Sequence, residues 1–359
     1  MSDTTVQGFS PEIATDIQHV IEHIEGNHGD SLAFIASLAT DGVAGETRVA
    51  RLDPDGVTFE IVAVVGRRRL DFSEPVGSMP ELQVQLFGFL TQARAAAPDH
   101  PVTSIEAELR TTQSLQTWRG TVVARTMVAP NMVELTIGGL DGMSVLGGDE
   151  FFYLMVGTPD RPLVVGAGAT MSEIQALEED QQPVGASYTT RRRRPDVGEL
   201  DLWVLLHGHD GGVSGWAEGA EIGDDVALWG PRSAYEPPDS TTRHLLVCDE
   251  TGVPAACAIT DGLPAGHPVD MVVLIDDPDH RLPVPERATV HWLHRSEVGA
   301  GTDVYDSAVR TIVGDVSGLY AFGAGESRQI SAARKLLRTE LGAGADQVHM
   351  TGYWRSDRA

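Results

Sequence analysis

Apolar positions in the first hundred residues predict an α+β domain. Five of them recur at helical spacing: Ile13, Ile17, Val20, Ile21 and Ile24. This spacing indicates an amphipathic helix. The other predicted elements are a helix over 30–38, strands over 49–52 and 57–64 that flank the turn Asp53-Pro54-Asp55-Gly56, and a closing helix over 81–97. We therefore expect an α+β domain over residues 10–98, followed by a linker rich in alanine and proline.

Short runs of apolar and β-branched residues dominate the next part of the chain. Glycine and proline separate these runs, which is typical of barrels and sandwiches. The predicted strands cover 120–128, 132–137, 151–156, 200–206 and 225–229. We predict an antiparallel β-barrel over residues 115–238.

Strands alternate with helices in the last part of the chain. The predicted strands cover 244–248, 269–275, 289–293 and 318–322, and the predicted helices cover 252–262, 305–313 and 327–341. This alternation indicates a parallel sheet that binds ligands at the carboxyl ends of its strands. We predict an α/β domain over residues 242–359, and a barrel followed by such a domain is the architecture of a flavin and nicotinamide reductase.

The charge of the chain limits its partners. The 359 residues include 52 acidic and 26 basic side chains, which gives a formal net charge of −26 at pH 7. Nucleic-acid binding is not expected, because phosphate contacts need cations. We expect neither membrane insertion nor a secretory signal, and therefore a cytoplasmic location. Cys248 and Cys257 belong to no cluster with the spacing of metal ligands, so we predict no metal site.

A predicted strand carries Tyr188, Thr189, Thr190 and Arg191 in succession. A flavin needs an aromatic face, a hydroxyl or amide near its N5 atom and a cation for its phosphates. These four side chains could meet all three needs. A solvated strand end with a basic run is the alternative interpretation of the same residues.

A glycine-rich loop follows the next strand. His207 and Gly208 precede further glycines up to Gly212, and Ser214, Trp216 and Ala217 then begin a predicted helix. Backbone N–H groups at such a helix start can bind an anion. Ser214 is the expected N-cap. An ordinary glycine loop with Trp216 in the core is the alternative.

Two strand-to-helix turns of the α/β domain could form a nicotinamide site. Asp249, Glu250 and Thr251 follow its first strand, and Gly325 and Glu326 follow its fourth. The first turn has no complete Gly-x-Gly-x-x-Gly motif, so the usual dinucleotide fingerprint is absent from the sequence.

The order of these motifs is more specific than any one of them. Tyr-Thr-x-Arg from 188, His-Gly-x-x-Gly from 207, Asp-Glu-Thr-x-x-Pro-Ala from 249, Trp-Leu-His-Arg from 292 and Gly-Tyr-Trp-Arg from 352 follow one another. Over about residues 116–357 this order resembles the siderophore-interacting protein family, the FAD-dependent ferric-siderophore reductases of the ferredoxin-reductase-like superfamily. The resemblance implies a flavin-binding barrel, an NAD(P)H-binding domain and reduction of chelated Fe(III) to Fe(II).

The resemblance also implies roles for particular residues. Those expected to bind FAD or the nicotinamide are Tyr188, Thr189, Thr190, Arg191, His207, Gly208, Gly212, Ser214, Trp216, Ala217, Asp249, Glu250, Thr251, Gly325, Glu326, Tyr353 and Trp354. An anionic ferric siderophore would meet Arg192, Arg193 and Arg194, for which a solvated face is the alternative. No general acid or nucleophile is required. The chain departs from the family at Ala186, where arginine is usual, and at Cys248, where glycine is usual.

The choice between NADH and NADPH stays open at this point. Asp276 and Asp277, at the end of a predicted strand, favour a free ribose hydroxyl. Arg295 and Arg328 could instead favour a 2′-phosphate.

The first domain has a resemblance of its own. His23-Ile24-Glu25-Gly26-Asn27-His28 and the turn at 53–56 are similar to the haem-utilisation domain of split-barrel haem-degrading proteins. His23 and His28 are therefore candidate haem ligands, although helix-end and turn roles are the alternative. A haem-binding protein, or a ferric-chelate binder that has lost FAD, are the two rival functions.

Overall fold

A computed structural model describes residues 4–42, 45–62, 64–208 and 211–356. The chain divides into two compact units, Met1–Ser114 and Leu115–Ala359. Within the described residues, no helix combines the length and the apolar character needed to cross a bilayer.

The first unit is an α+β structure with a four-stranded sheet. Its elements are β1 (Thr5–Val6), α1 (Pro11–Asn27), α2 (Gly29–Ala36), β2 (Thr47–Asp53), β3 (Gly56–Ile61), β4 (Arg67–Asp71), α3 (Met79–Ala96) and α4 (Ser104–Ser114). The sheet order is β1-β2-β3-β4. Helices and sheet share one apolar core that includes Ile17, Phe34 and Phe59. The three predicted helices and the hairpin are confirmed.

Sequence patterning did not predict β4, because three of its five residues are arginines. Ion pairs add to the pairing of this edge strand with β3. Arg69 donates to both carboxylate oxygens of Asp53 at 3.0 and 2.8 Å, and Arg51 donates to the same group at 2.9 Å. These hydrogen bonds, that from Arg69 foremost, lower the pKa of Asp53 to about 2.

The second unit begins with the predicted antiparallel barrel. Its elements are β5 (Gln116–Ala129), β6 (Met132–Gly138), β7 (Phe151–Val156), α5 (Met171–Gln175), β8 (Val184–Arg194), β9 (Glu199–Leu205), α6 (Gly212–Gly219) and β10 (Asp225–Arg232). Six strands close in the order β10-β5-β6-β9-β8-β7. Alternate residues such as Leu135, Leu154 and Leu202 fill the barrel interior.

The rest of the second unit is the predicted parallel α/β structure. Its elements are β11 (Arg243–Asp249), α7 (Val253–Gly262), β12 (Val269–Ile275), β13 (Thr289–His294), α8 (Arg295–Val298), α9 (Asp306–Ile312), β14 (Leu319–Glu326), α10 (Ser327–Lys335) and β15 (Val348–Trp354). The sheet order is β13-β12-β11-β14-β15, with every pair parallel. Apolar clusters cover both faces of this sheet. Strand β15 was not predicted, since four of its seven residues are exposed.

Asp249 joins the carboxyl ends of three strands. It ends the central strand β11 and is fully buried. Its Oδ1 accepts from the backbone and the hydroxyl of Thr251 at 2.9 and 2.6 Å. Its Oδ2 accepts from the backbone of Glu326 at 2.9 Å and from the indole of Trp354 at 2.7 Å. Gly325 allows this approach, because a Cβ there would lie 2.7 Å from Oδ2.

We predict that Asp249→Asn destabilises the second unit by about 1–3 kcal/mol. An amide NH₂ would face donors that now meet a carboxylate oxygen, and a buried unsatisfied donor costs about 1–3 kcal/mol. The measurement is urea unfolding of the full chain. Asp346→Asn, the same charge change at the opposite edge of the sheet, is the control and should leave the transition in place. Equal midpoints for the two variants would contradict this role of Asp249.

Candidate active site

Strand β8 presents the predicted flavin-binding residues at the barrel surface nearest the sheet. Tyr188 is half-buried against the barrel core, and this burial raises the pKa of its hydroxyl to about 12. Thr189 and Thr190 are buried, and the backbone N–H of Thr190 donates to the carbonyl of Glu150 at 2.7 Å. The tyrosine therefore stays a neutral aromatic surface at physiological pH.

A direct contact joins the barrel to the C-terminal strand of the sheet. The Thr189 hydroxyl lies 3.2 Å from the hydroxyl of Tyr353, and the next residue, Trp354, donates to Asp249. Ser327 Oγ also donates to the carbonyl of Trp354 at 2.9 Å. The predicted flavin motif and the predicted nicotinamide turn are thus linked through two consecutive aromatic residues.

The glycine loop before α6 forms an open cradle. Gly211 is the N-cap of α6, and both it and Gly212 have positive φ angles of 111° and 66°. An added Cβ at Gly208, Gly211 or Gly212 would meet no described atom within 4 Å. Among the described residues no side chain caps this helix, and backbone N–H groups at a helix start favour an anion. His209 and Asp210 lie outside the described residues.

The expectation that Ser214 caps α6 is corrected by its contacts. Its hydroxyl donates to the carbonyl of Leu205 at 2.9 Å and accepts from the backbone of His207 at 3.3 Å. Ser214 therefore fixes the loop onto the end of β9. Trp216 is half-buried and Ala217 is buried, and both pack on the barrel core.

These features fit a flavin nucleotide. Tyr188 offers an aromatic face, Thr189 offers a hydroxyl, and the open cradle before α6 offers backbone donors for phosphate. The exception is Ala186, which packs against the barrel core and brings no charge. FAD, when bound, would supply hydride and single-electron chemistry at this surface.

The guanidinium of Arg191 connects the barrel to the sheet. Its Nη1 donates to Asp261 of α7 at 2.7 Å, and its Cζ lies 5.4 Å from the centroid of the Trp203 ring. Neither partner was singled out from the sequence. An acidic residue in the otherwise apolar helix α7 was the available signal, but its distance of 70 residues from Arg191 hid the pairing.

Of the three arginines that follow Arg191, two are paired within the barrel and one is exposed. Arg193 donates to the carbonyls of Met143 and Ser144 at 3.2 Å and lies 3.3 Å from Glu150. Arg194 forms a bidentate pair with Asp201 at 2.6 and 2.7 Å. These two guanidinium groups are paired within the barrel, and their expected contact with a substrate stays an untested prediction. Arg192 is exposed to solvent.

Glu250 and Arg295 form a buried pair at the end of β11. Arg295 donates to both carboxylate oxygens of Glu250 at 2.6 and 2.8 Å, and also to Asp276 at 2.8 Å. Burial opposes the charge of Arg295, but the bonds to Glu250 and Asp276 raise its pKa overall. Like Asp249, Glu250 is buried and hydrogen-bonded, so both carboxylates shape the strand ends, and their expected contact with a nicotinamide stays a prediction.

The turn after β14 is also held by hydrogen bonds to a carboxylate. The Glu326 carboxylate caps α10 by accepting from the backbones of Arg328 and Gln329 at 2.8 and 3.0 Å. On the first turn, Gly252 lies between β11 and β14, where a Cβ would meet the Ala324 carbonyl at 2.3 Å and Cys248 Cβ at 2.7 Å. Cys248 is buried in the core beneath it. The strand ends leave no room for larger residues here.

Of the two candidate haem ligands, His23 and His28, the structure describes the side chain of His28. The side chain of His23 lies outside the described residues. His28 is buried, with Nδ1 at 3.0 Å from Ser104 Oγ and Nε2 at 3.6 Å from Glu108. Both ring nitrogens of His28 therefore face protein oxygens, and haem binding by this unit stays an untested prediction. Within the described residues no group of three or more His, Cys, Asp or Glu side chains could hold a metal ion.

Two protein-family models match consecutive parts of the second unit. Residues 121–235 match the model of the siderophore-interacting FAD-binding domain, and residues 241–357 match that of the siderophore-interacting protein. Ferric vibriobactin reductase ViuB of Vibrio cholerae is 25% identical over 237 residues, 65% of this chain and 87% of that protein. The NADPH-dependent ferric-chelate reductase of Escherichia coli is 33% identical over 140 residues, 38% of this chain and 52% of that protein.

Solved structures agree on the fold. A siderophore utilization protein from T. fusca superposes with a TM-score of 0.56 at 24% identity, over 67% of this chain and 94% of that one. Ferredoxin-NADP+ reductase from Plasmodium falciparum shares this fold, with a TM-score of 0.51 at 13% identity over 66% of this chain and 96% of that one. Because these two family models together cover most of the second unit, residues 121–357 belong to the siderophore-interacting protein family of FAD-binding oxidoreductases.

Proposed function

We propose that this protein is an FAD-dependent NAD(P)H:ferric-siderophore reductase that releases iron as Fe(II) in the cytoplasm. One observation carries the proposal: the contact between Thr189 of the barrel and Tyr353 of the sheet. It brings the surface that fits a flavin beside the strand ends where parallel sheets bind nucleotides.

The chain's own residues supply binding and orientation. Tyr188 and Thr189 would hold the isoalloxazine, and the α6 cradle would hold the pyrophosphate. The hydrogen bond between Asp249 and Trp354 would fix the opposite side, so that the two redox partners meet in one orientation. No acid, base or nucleophile of the protein is needed for electron transfer.

The chemistry balances without a further co-reactant. A hydride carries an electron pair, whereas Fe(III) accepts a single electron, so each nicotinamide serves a pair of ferric ions and releases a proton. Fe(II) binds hard oxygen chelators more weakly than Fe(III) does. Reduction therefore loosens the metal from its chelator, and no bond of the chelator has to break.

Arg192 is the residue that we propose for recognition of the substrate. It follows Thr189 by three positions on β8 and is exposed, whereas Arg193 and Arg194 are paired within the barrel. A cation near the flavin motif would attract an anionic ferric chelate on a protein whose net charge of −26 otherwise repels it.

We predict that the purified protein with FAD reduces a ferric siderophore when NADH or NADPH is added. The measurement is the appearance of Fe(II) in a coloured ferrous chelator under anaerobic conditions. Protein without nicotinamide and nicotinamide without protein are the controls. A flavin-loaded protein that gives no Fe(II) above these controls, with several ferric chelates, would contradict the function.

Arg192→Glu should raise the KM for an anionic ferric chelate by roughly fivefold or more, because a near attraction becomes a repulsion. The KM for a neutral ferric chelate should change little. Lys335→Glu makes the same charge change at an exposed site on α10 and is the matched control. If the two variants raise the KM equally, Arg192 acts only through net charge and has no place in substrate recognition.

Ala186→Arg should tighten FAD binding. A guanidinium at this position of β8 could donate a charge-assisted hydrogen bond to a phosphate, worth about 1.5–3 kcal/mol, or roughly a tenfold or greater fall in Kd. Fluorescence titration of the apoprotein with FAD measures it. Ala186→Gln, which is long but uncharged, controls for packing against the barrel core. An unchanged Kd in Ala186→Arg would mean that the phosphates lie elsewhere.

A further inference from the structure

Strands β12 and β13 lie on the same side of the central strand β11. The sheet order is β13-β12-β11-β14-β15, with β11 at its centre. In such dinucleotide-binding sheets, the neighbouring strand that comes next along the chain carries the residues that meet the adenosine ribose. That strand is β12, and the residues that follow it are Asp276, Asp277, Pro278 and Asp279. This segment therefore decides whether a ribose hydroxyl or a 2′-phosphate is accepted.

The cation nearest to this segment is already neutralised. Arg295, at the end of β13, spends both terminal nitrogens on the Glu250 carboxylate and shares one of them with Asp276. Glu250 is buried, and its Oε1 also accepts from the backbone of Asp276 at 2.9 Å. Rotation of Arg295 toward a phosphate would leave a buried carboxylate without its counter-ion, which is costly.

The surface around this pair is acidic. The Asp276 side chain is 58% exposed although one of its oxygens meets Arg295. Asp277 is half-exposed, and its carboxylate accepts from the backbone of Asp279 at 2.9 Å and lies 3.5 Å from His280. The following cation, Arg281, stacks over the Trp292 ring at 5.5 Å. Three aspartates thus border the position of the adenosine ribose.

We infer that this protein prefers NADH to NADPH, with Asp276 as the residue that determines the choice. The inference rests on the proposed function, since it concerns the nicotinamide site of the same reductase. Asp276 has an exposed carboxylate that can accept a hydrogen bond from a ribose 2′-hydroxyl. A 2′-phosphate would instead bring about two negative charges against Asp276 and Asp277.

Binding of oxidised dinucleotides tests the preference without any turnover. We expect NAD⁺ to bind the full chain at least about tenfold more tightly than NADP⁺ in calorimetric titrations, since like charges at close range cost more than that ratio requires. Equal affinities, tighter binding of NADP⁺, or binding of neither dinucleotide would each overturn the inference.

Asp276→Asn tests the assigned residue. It removes one negative charge and loosens Arg295, so the Kd for NADP⁺ should fall by roughly fivefold while the Kd for NAD⁺ rises. Asp346→Asn changes the net charge equally at the opposite edge of the sheet, and its ratio of Kd values should match that of the unaltered protein. If Asp276→Asn leaves the ratio of the Kd values for NADP⁺ and NAD⁺ unchanged, Asp276 does not determine the preference.

A separate assay keeps this inference apart from the proposed function. Flavin reduced chemically with dithionite, freed of excess reductant, is mixed with the ferric chelate in the absence of nicotinamide. If Fe(II) does not appear but NAD⁺ is still preferred, the reductase function fails and the nucleotide preference stands. If Fe(II) appears but NADP⁺ binds as well as NAD⁺, the preference alone fails.

Discussion

A single buried carboxylate determines how the nucleotide end of this protein is built. Asp249 receives four hydrogen bonds, from its own turn, from the turn after β14 and from Trp354 near the C-terminus. A carboxylate is acceptor-only, so its environment must consist of donors. That requirement fixes the positions of Thr251, Glu326 and Trp354 relative to one another.

The consequences reach the barrel through the residue beside Trp354. Once the indole is bound to Asp249, Tyr353 is directed toward Thr189 of β8, and the two hydroxyls meet at 3.2 Å. The ion pair of Arg191 with Asp261 supports the same junction from α7. Motifs that are 164 residues apart in sequence therefore form one surface, which explains why their order along the chain was more informative than each motif alone.

Sequence patterning predicted the elements that bury apolar residues, and it failed where other forces dominate. Five of the six barrel strands and the parallel strands β11 to β14 consist of short apolar or β-branched runs, so they were predicted, whereas the arginine-rich β8 was not among the predicted runs. Strand β4 depends on arginine pairing with Asp53, and β15 depends on Trp354 bonding to Asp249; neither signal is visible in local hydrophobicity. Residue types at the site were predictable from motifs, but the partners of Arg193, Arg194 and Arg295 were not, because pairing depends on tertiary structure.

In the proposed reductase, electrons pass from a nicotinamide at the sheet to a flavin at the barrel, beside the contact between Thr189 and Tyr353. Anaerobic rapid mixing of the FAD-loaded protein with NADH, followed by absorbance of the flavin, tests this most directly. We expect the bound flavin to be bleached in a first-order phase whose rate saturates with NADH. Flavin that remains oxidised with both NADH and NADPH, yet is readily reduced by dithionite, would contradict the account.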